Sequence, residues 1–125
     1  MRDAWENARR NFGDDALRDD AVKFVAAKAE DALPGLLRAS SGSAVAIVDP
    51  PRAGLHSKVL DALVSNRGIA HLVYVSCNVE SLVENATRLC SGPCGFSPTS
   101  CLALDLFPHT VHVEAVVRFD RRVAS

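Results

Sequence analysis

The chain has 125 residues, 48% of them hydrophobic and 23% charged, a globular composition that excludes disordered and collagen-like classes. That length suits one small domain and is too short for two ordinary ones. Fourteen Lys and Arg against fifteen Asp and Glu leave a formal net charge of −1, which excludes a broad basic surface gripping nucleic acid through phosphates alone.

The opening Met1-Arg2-Asp3-Ala4-Trp5-Glu6 carries charges where a signal peptide places its apolar core. Apolar runs such as Ala44–Val48 are about five residues long, where a membrane span needs about 20. The expectation is a soluble intracellular protein with no membrane association, cytoplasmic first, with nucleus and mitochondrion open. Without a secretory signal, Cys77, Cys90, Cys94 and Cys101 are expected as reduced thiols. Cys90 and Cys94 lack a second Cys pair or paired His nearby, so they read as ordinary packing or loop residues and no metal is expected.

In chain order, Trp5, Ala8 and Phe12 share a helical face, Glu6 and Arg10 form an i,i+4 pair, and Gly13 offers a stop. A polar stretch leads to a short strand-like run at Val22–Val25. Asp31 then caps a helix through Arg38, with Pro34 in its first turn, where no intrahelical N–H is lost. Ala44–Val48 is a continuous apolar run of the kind buried on both faces. Asp49-Pro50-Pro51-Arg52-Ala53-Gly54-Leu55 ends it, and a helix follows with Val59, Leu60, Leu63 and Val64 on one side. Leu72–Val75 is a second buried strand, ended by Ser76-Cys77-Asn78. The next helix turns Val79, Leu82, Val83, Ala86 and Leu89 inward, with Glu84 and Arg88 paired outside. Strands at Ser100–Leu104 and Val111–Phe119 close the chain. This alternation predicts an α/β layered fold with a mostly parallel sheet and an antiparallel final pair.

Ligands of open α/β sheets bind beyond the carboxyl ends of the strands. Three polar clusters fall there or in the final turn. Cys77 follows a buried strand and precedes a helix that Asn78 can cap; the helix dipole at that position favours a thiolate, so Cys77 reads as a nucleophile or as a small packing residue. Asp49, on a stiff Pro-Pro exit, reads as a ligand-binding carboxylate or as a turn cap. Glu114, on a strand with His112 on the same face, reads as a partly desolvated general base or as a solvated edge residue. His109, His112 and Glu114 also offer metal-ligand chemistry, though strand alternation brings only two of the three together.

Three motifs in order, Val48-Asp49-Pro50-Pro51-Arg52-Ala53-Gly54-Leu55, Tyr74-Val75-Ser76-Cys77-Asn78 and Asp105-Leu106-Phe107-Pro108-His109-Thr110-Val111-His112-Val113-Glu114, resemble the C-terminal part of the RNA uracil-5-methyltransferase family. The likeness is strongest to the tRNA-modifying members of animals, and it covers nearly the whole chain. The resemblance implies that residues 1–125 are a partial catalytic domain of a Rossmann-like, S-adenosylmethionine-dependent methyltransferase that forms 5-methyluridine in RNA, in the T-loop of tRNA or alternatively in rRNA. By that resemblance Cys77 adds to C6 of a flipped uracil, C5 takes the methyl group, and Glu114 removes the C5 proton. Asp49 matches a cofactor-binding carboxylate, and Asp31, with Glu30 beside it, lies where the family lines the adenosine pocket. The family's first two strands lie upstream of Met1, so strand order 3-2-1-4-5-7-6 leaves strands 3 to 7, with an open edge and an exposed apolar face. The expectation is a chain that alone folds weakly and binds cofactor poorly. The alternatives are a catalytically incompetent fragment or isoform with only a binding role, and a His/Cys metal module.

Overall fold

A computed structural model of the chain describes residues 2–18, 22–39, 42–93, 95–106 and 108–122. The elements are α1 (Arg2–Arg18), α2 (Ala29–Ala39), β1 (Ala44–Val48), α3 (Ser57–Ser65), β2 (Ile69–Ser76), α4 (Val79–Leu89), β3 (Phe96–Leu104) and β4 (Glu114–Arg121). One sheet runs in the order β1-β2-β4-β3. β1 and β2 are parallel, while β4 is antiparallel to both β2 and β3. The α/β layering and the antiparallel closing pair are as expected; the mostly parallel sheet is not, because β4 inserts between β2 and β3 and makes two of the three pairings antiparallel.

The core gathers Val59, Leu60 and Leu63 of α3, Leu82 and Leu89 of α4, and Ile69, Leu72 and Tyr74 of β2. Phe96, Ala115, Val117 and Phe119 from the hairpin complete it, and Leu33 and Leu37 of α2 pack alongside. A register shift between Ala44 and Val45 on the β1–β2 ladder lets both Ile69 and Leu72 turn inward. Arg121 ties the far end together. Its guanidinium donates to the carbonyls of Leu63, Val64, Asn66 and Ile69 and lies 3.9 Å over the Phe96 ring.

Several local expectations are corrected. Val22–Val25 forms no strand, because a short segment has no ladder to hold it without a paired neighbour. β1 is not buried on both faces: Ala44, Ala46 and Val48 pack on the core, while Val45 and Ile47 are 63% and 73% exposed. An apolar run shows that a strand can be covered, and the neighbouring layer decides whether it is. Helix α2 starts at Ala29, so Asp31 lies inside its first turn and Pro34 lies beyond that turn, leaving the Glu30 carbonyl without its i+4 donor.

Helix α4 is rolled relative to its apolar pattern. Ser81, Leu82, Asn85 and Leu89 are buried, whereas Val79 and Val83 are exposed. Arg88, expected to pair with Glu84, bonds Asp61 of α3 at 2.6 Å instead. Gly13 breaks α1 as expected, at φ 77°, but the helix resumes after it. Ala8 is buried and Phe12 exposed; the Trp5 side chain and Cys94 lie outside the described residues. β4 begins at Glu114, so Val111–Val113 belong to the connection before it.

Candidate active site

Because β1 and β2 are parallel and β4 runs against them, the ends of β1 and β2 and the start of β4 meet at one edge of the sheet. That edge receives Asp49, Cys77 and Glu114. The last pair of the β2–β4 ladder is Ser76–Ala115; Cys77 directly follows Ser76 and Glu114 directly precedes Ala115. Both residues are half-buried. The two backbone positions, 37 apart in sequence (114 − 77), thus flank the same end of the ladder, while Glu114 is not among the residues lining the cavity at Cys77.

Cys77 is held by a short hydrogen-bonded turn. Ser76 Oγ donates to the Asn78 carbonyl at 2.8 Å and accepts from the Asn78 amide at 3.2 Å. Asn78 caps α4 through its side-chain oxygen, which accepts from the Glu80 amide at 3.1 Å. Its Nδ2 donates to the Arg52 carbonyl at 2.9 Å, tying the Asp49–Leu55 loop to the Cys77 turn. A cavity of about 390 Å³ opens here, lined by Cys77, Asn78, Val79, Glu80, Val111, His112 and Val113.

Asp49 lines a second cavity of about 470 Å³, whose walls include Glu30, Leu33, Ile47, Pro51 and Leu55. Two carboxylates and the His56 imidazole set in mostly apolar walls suit a ligand that combines a flat apolar part, hydroxyl groups and a positive charge. Of the acidic pair at the start of α2, Glu30 is half-buried and faces this cavity; Asp31 is exposed and is not among its lining residues. Asn78 lines the Cys77 cavity and, through the Arg52 carbonyl, holds the loop whose residues Asp49, Pro51 and Leu55 line the other.

The sequence reading missed Asn85 and Tyr74. Asn85 Oδ1 accepts from the Leu55 amide at 2.7 Å and from the Tyr74 hydroxyl at 2.9 Å, both beneath the Asp49 loop. Burial pushes the Tyr74 phenol above its ordinary range, with the Leu55 backbone pulling the other way. The signal was legible: Asn85 is a lone amide three residues after Leu82 and four before Leu89, on the buried stripe of α4. His109 lies in the left-handed region at φ 68°, and the His112 amide donates to Thr110 Oγ1 at 3.2 Å. Among the described residues no three His, Cys, Asp or Glu side chains gather as a metal site.

Fold and site together define an α/β chain that brings a half-buried cysteine and a carboxylate to one sheet edge, beside a carboxylate-lined cavity. Residues 33–122 match the family described as tRNA (Uracil-5-)-methyltransferase, and the chain belongs to that family. It is 42% identical over 127 residues to tRNA (uracil-5-)-methyltransferase homolog A of Mus musculus, covering 96% of this chain and 20% of the relative. Homolog B of Homo sapiens is 40% identical over 132 residues, covering 97% of this chain and 26% of the relative. An uncharacterized RNA methyltransferase of Streptococcus pyogenes is 34% identical over 121 residues, covering 97% and 26%. The chain thus spans about a fifth to a quarter of the length of these relatives. The family is the one expected from the three motifs.

Proposed function

We propose that this chain carries the reacting part of an RNA uracil-5-methyltransferase, acting on a uridine of tRNA. The observation that carries the reading is that Cys77, just after β2, and Glu114, at the start of β4, flank the last β2–β4 pair at the sheet edge that also holds Asp49. The donor set fits S-adenosylmethionine. Glu30 and Asp49 offer acceptors for ribose hydroxyls and a counter-charge for a sulfonium, and Leu33, Ile47 and Leu55 offer an apolar wall for the adenine. When bound, that cofactor supplies an electrophilic methyl group.

The chain's own residues supply the rest. Cys77 Sγ, as thiolate, adds to C6 of the uracil, and the electron pair moves to C5, which becomes the nucleophile that takes the methyl group. Glu114 then accepts the proton from C5, the C6–S bond breaks, and the thiolate is regenerated. A uracil stacked in RNA hides C5 and C6, so the base enters the Cys77 cavity flipped, against Val79, Val111 and Val113. The near-neutral net charge means that phosphate grip must come from elsewhere on the enzyme. An RNA enzyme of this kind works inside the cell, in cytoplasm, nucleus or mitochondrion.

The test is covalent trapping. The 125-residue chain, and a chimera in which it replaces the matching segment of homolog A, are incubated with S-adenosylmethionine and T-loop RNA containing 5-fluorouridine. A denaturation-resistant adduct is expected in the chimera and lost in Cys77→Ala. Persistence of the adduct in that variant discards the assignment. An rRNA stem-loop run in parallel distinguishes the two substrate classes.

A further inference from the structure

We infer that Asn85 is a positioning residue, whose buried side-chain oxygen holds the Gly54–Leu55 wall of the Asp49 cavity in register from helix α4. The inference rests on reading that cavity as the methyl-donor site. Leu55 precedes α3 and its amide has no helical carbonyl to meet; it donates to Asn85 Oδ1 at 2.7 Å. The Tyr74 hydroxyl takes the second lone pair of the same oxygen at 2.9 Å, so its accepting capacity is filled. Asn85 is 7% exposed, so its side-chain oxygen is satisfied by these two protein donors rather than by solvent.

Close approach supports the same point. Gly54 sits at φ +79°, and a Cβ placed on it would lie 2.9 Å from Asn85 Oδ1 and 3.2 Å from Ser81 Cβ. The loop therefore lies directly on the asparagine, in a conformation only glycine adopts easily. Asn78, the N-cap of α4, fastens the Arg52 carbonyl. Two amides, one within α4 and one capping it, thus clamp both ends of residues 52–55. Because Cys77 immediately precedes that cap, the clamp sets where the Asp49 cavity sits relative to the thiol.

Asn85→Leu, Asn85→Asp and Tyr74→Phe are compared with the unaltered 125-residue chain, using Leu55 amide hydrogen exchange and calorimetric titration with S-adenosylmethionine. Tyr74 is the sole tyrosine, so its ultraviolet titration reports the same network. Asn85→Leu is expected to speed Leu55 exchange, and to weaken binding, by about tenfold or more. Asn85→Asp, which keeps an accepting oxygen, should restore both to within about twofold, and Tyr74→Phe should leave Leu55 protected. Unchanged exchange and affinity in Asn85→Leu overturn the proposal. Loss of Leu55 protection in Tyr74→Phe also overturns it, by making the phenol rather than the amide the anchor; this arm holds even where Asn85→Leu does not fold. If the unaltered chain takes up no S-adenosylmethionine, the affinity arm is run in the homolog A chimera, where no uptake overturns the donor-site reading, while exchange in the Asn85 pair still decides the positioning.

Discussion

Asp120 on β4 accepts from His71 Nδ1 at 2.6 Å and from Arg118 Nε at 2.9 Å. The bond to His71, followed by the Arg118 guanidinium, holds its carboxyl down at about 2 from an ordinary 3.8. A carboxylate so depressed stabilises the fold above its unfolded value and loses that contribution as pH falls through about 2. Asp120→Asn is therefore expected to lower the melting temperature at neutral pH and to flatten its decline between about pH 5 and pH 2, read by circular dichroism. Gly54 gives a second single-residue outcome. Its positive φ and the Asn85 amide 2.9 Å from a built Cβ leave Ala strained and crowded. Gly54→Ala should cost about 1–3 kcal/mol in urea unfolding. Residue identity made the Asp49, Cys77 and Glu114 clusters legible in the sequence. It did not show that Glu30 rather than Asp31 faces the cavity, because that depends on a one-residue rotation of about 100° around α2.

Among the elements, α3 depends on a residue at the end of β4. Arg121 satisfies the carbonyls of Leu63 and Val64 at the end of α3 and those of Asn66 and Ile69 beyond it, while stacking on Phe96. Lysine has neither the planar fork nor the stacking face. Arg121→Lys should thus destabilise the chain by about 2–4 kcal/mol, measured by chemical unfolding, although it conserves charge. Helix α2 points the other way. Pro34 withholds an N–H from the Glu30 carbonyl, so Pro34→Ala is expected to stabilise the chain by about 1 kcal/mol or more, read as a raised unfolding midpoint. Elements with strong period and punctuation were legible: α3, β2 and α4 fall where the pattern put them. The face of α4 was misread because Asn85 and Ser81, polar by type, are buried as partners of the Asp49 loop and the Asn78 turn. Their burial pushes Val79 and Val83 outward.

At the scale of the molecule, β1 ends the described sheet, and its outer residues Val45 and Ile47 are largely exposed. An uncovered strand with an apolar face is a template for pairing with another chain. Self-association is expected to rise with concentration in sedimentation experiments and to fall in Val45→Lys, which places a charge on the exposed face without touching the Asp49 cavity. A monomer at all concentrations would contradict this.

The sequence by itself determined the family, the α/β class and the residue types at the strand ends, since motifs and hydrophobic period are local properties of the chain. Only the tertiary structure decided that Glu30 rather than Asp31 lines the Asp49 cavity, because the roll of α2 is set by packing against its neighbours. It also decided which face of β1 is covered and that Asn85 joins the Asp49 loop to α4, because layer packing and contacts 30 residues apart leave no period in the sequence.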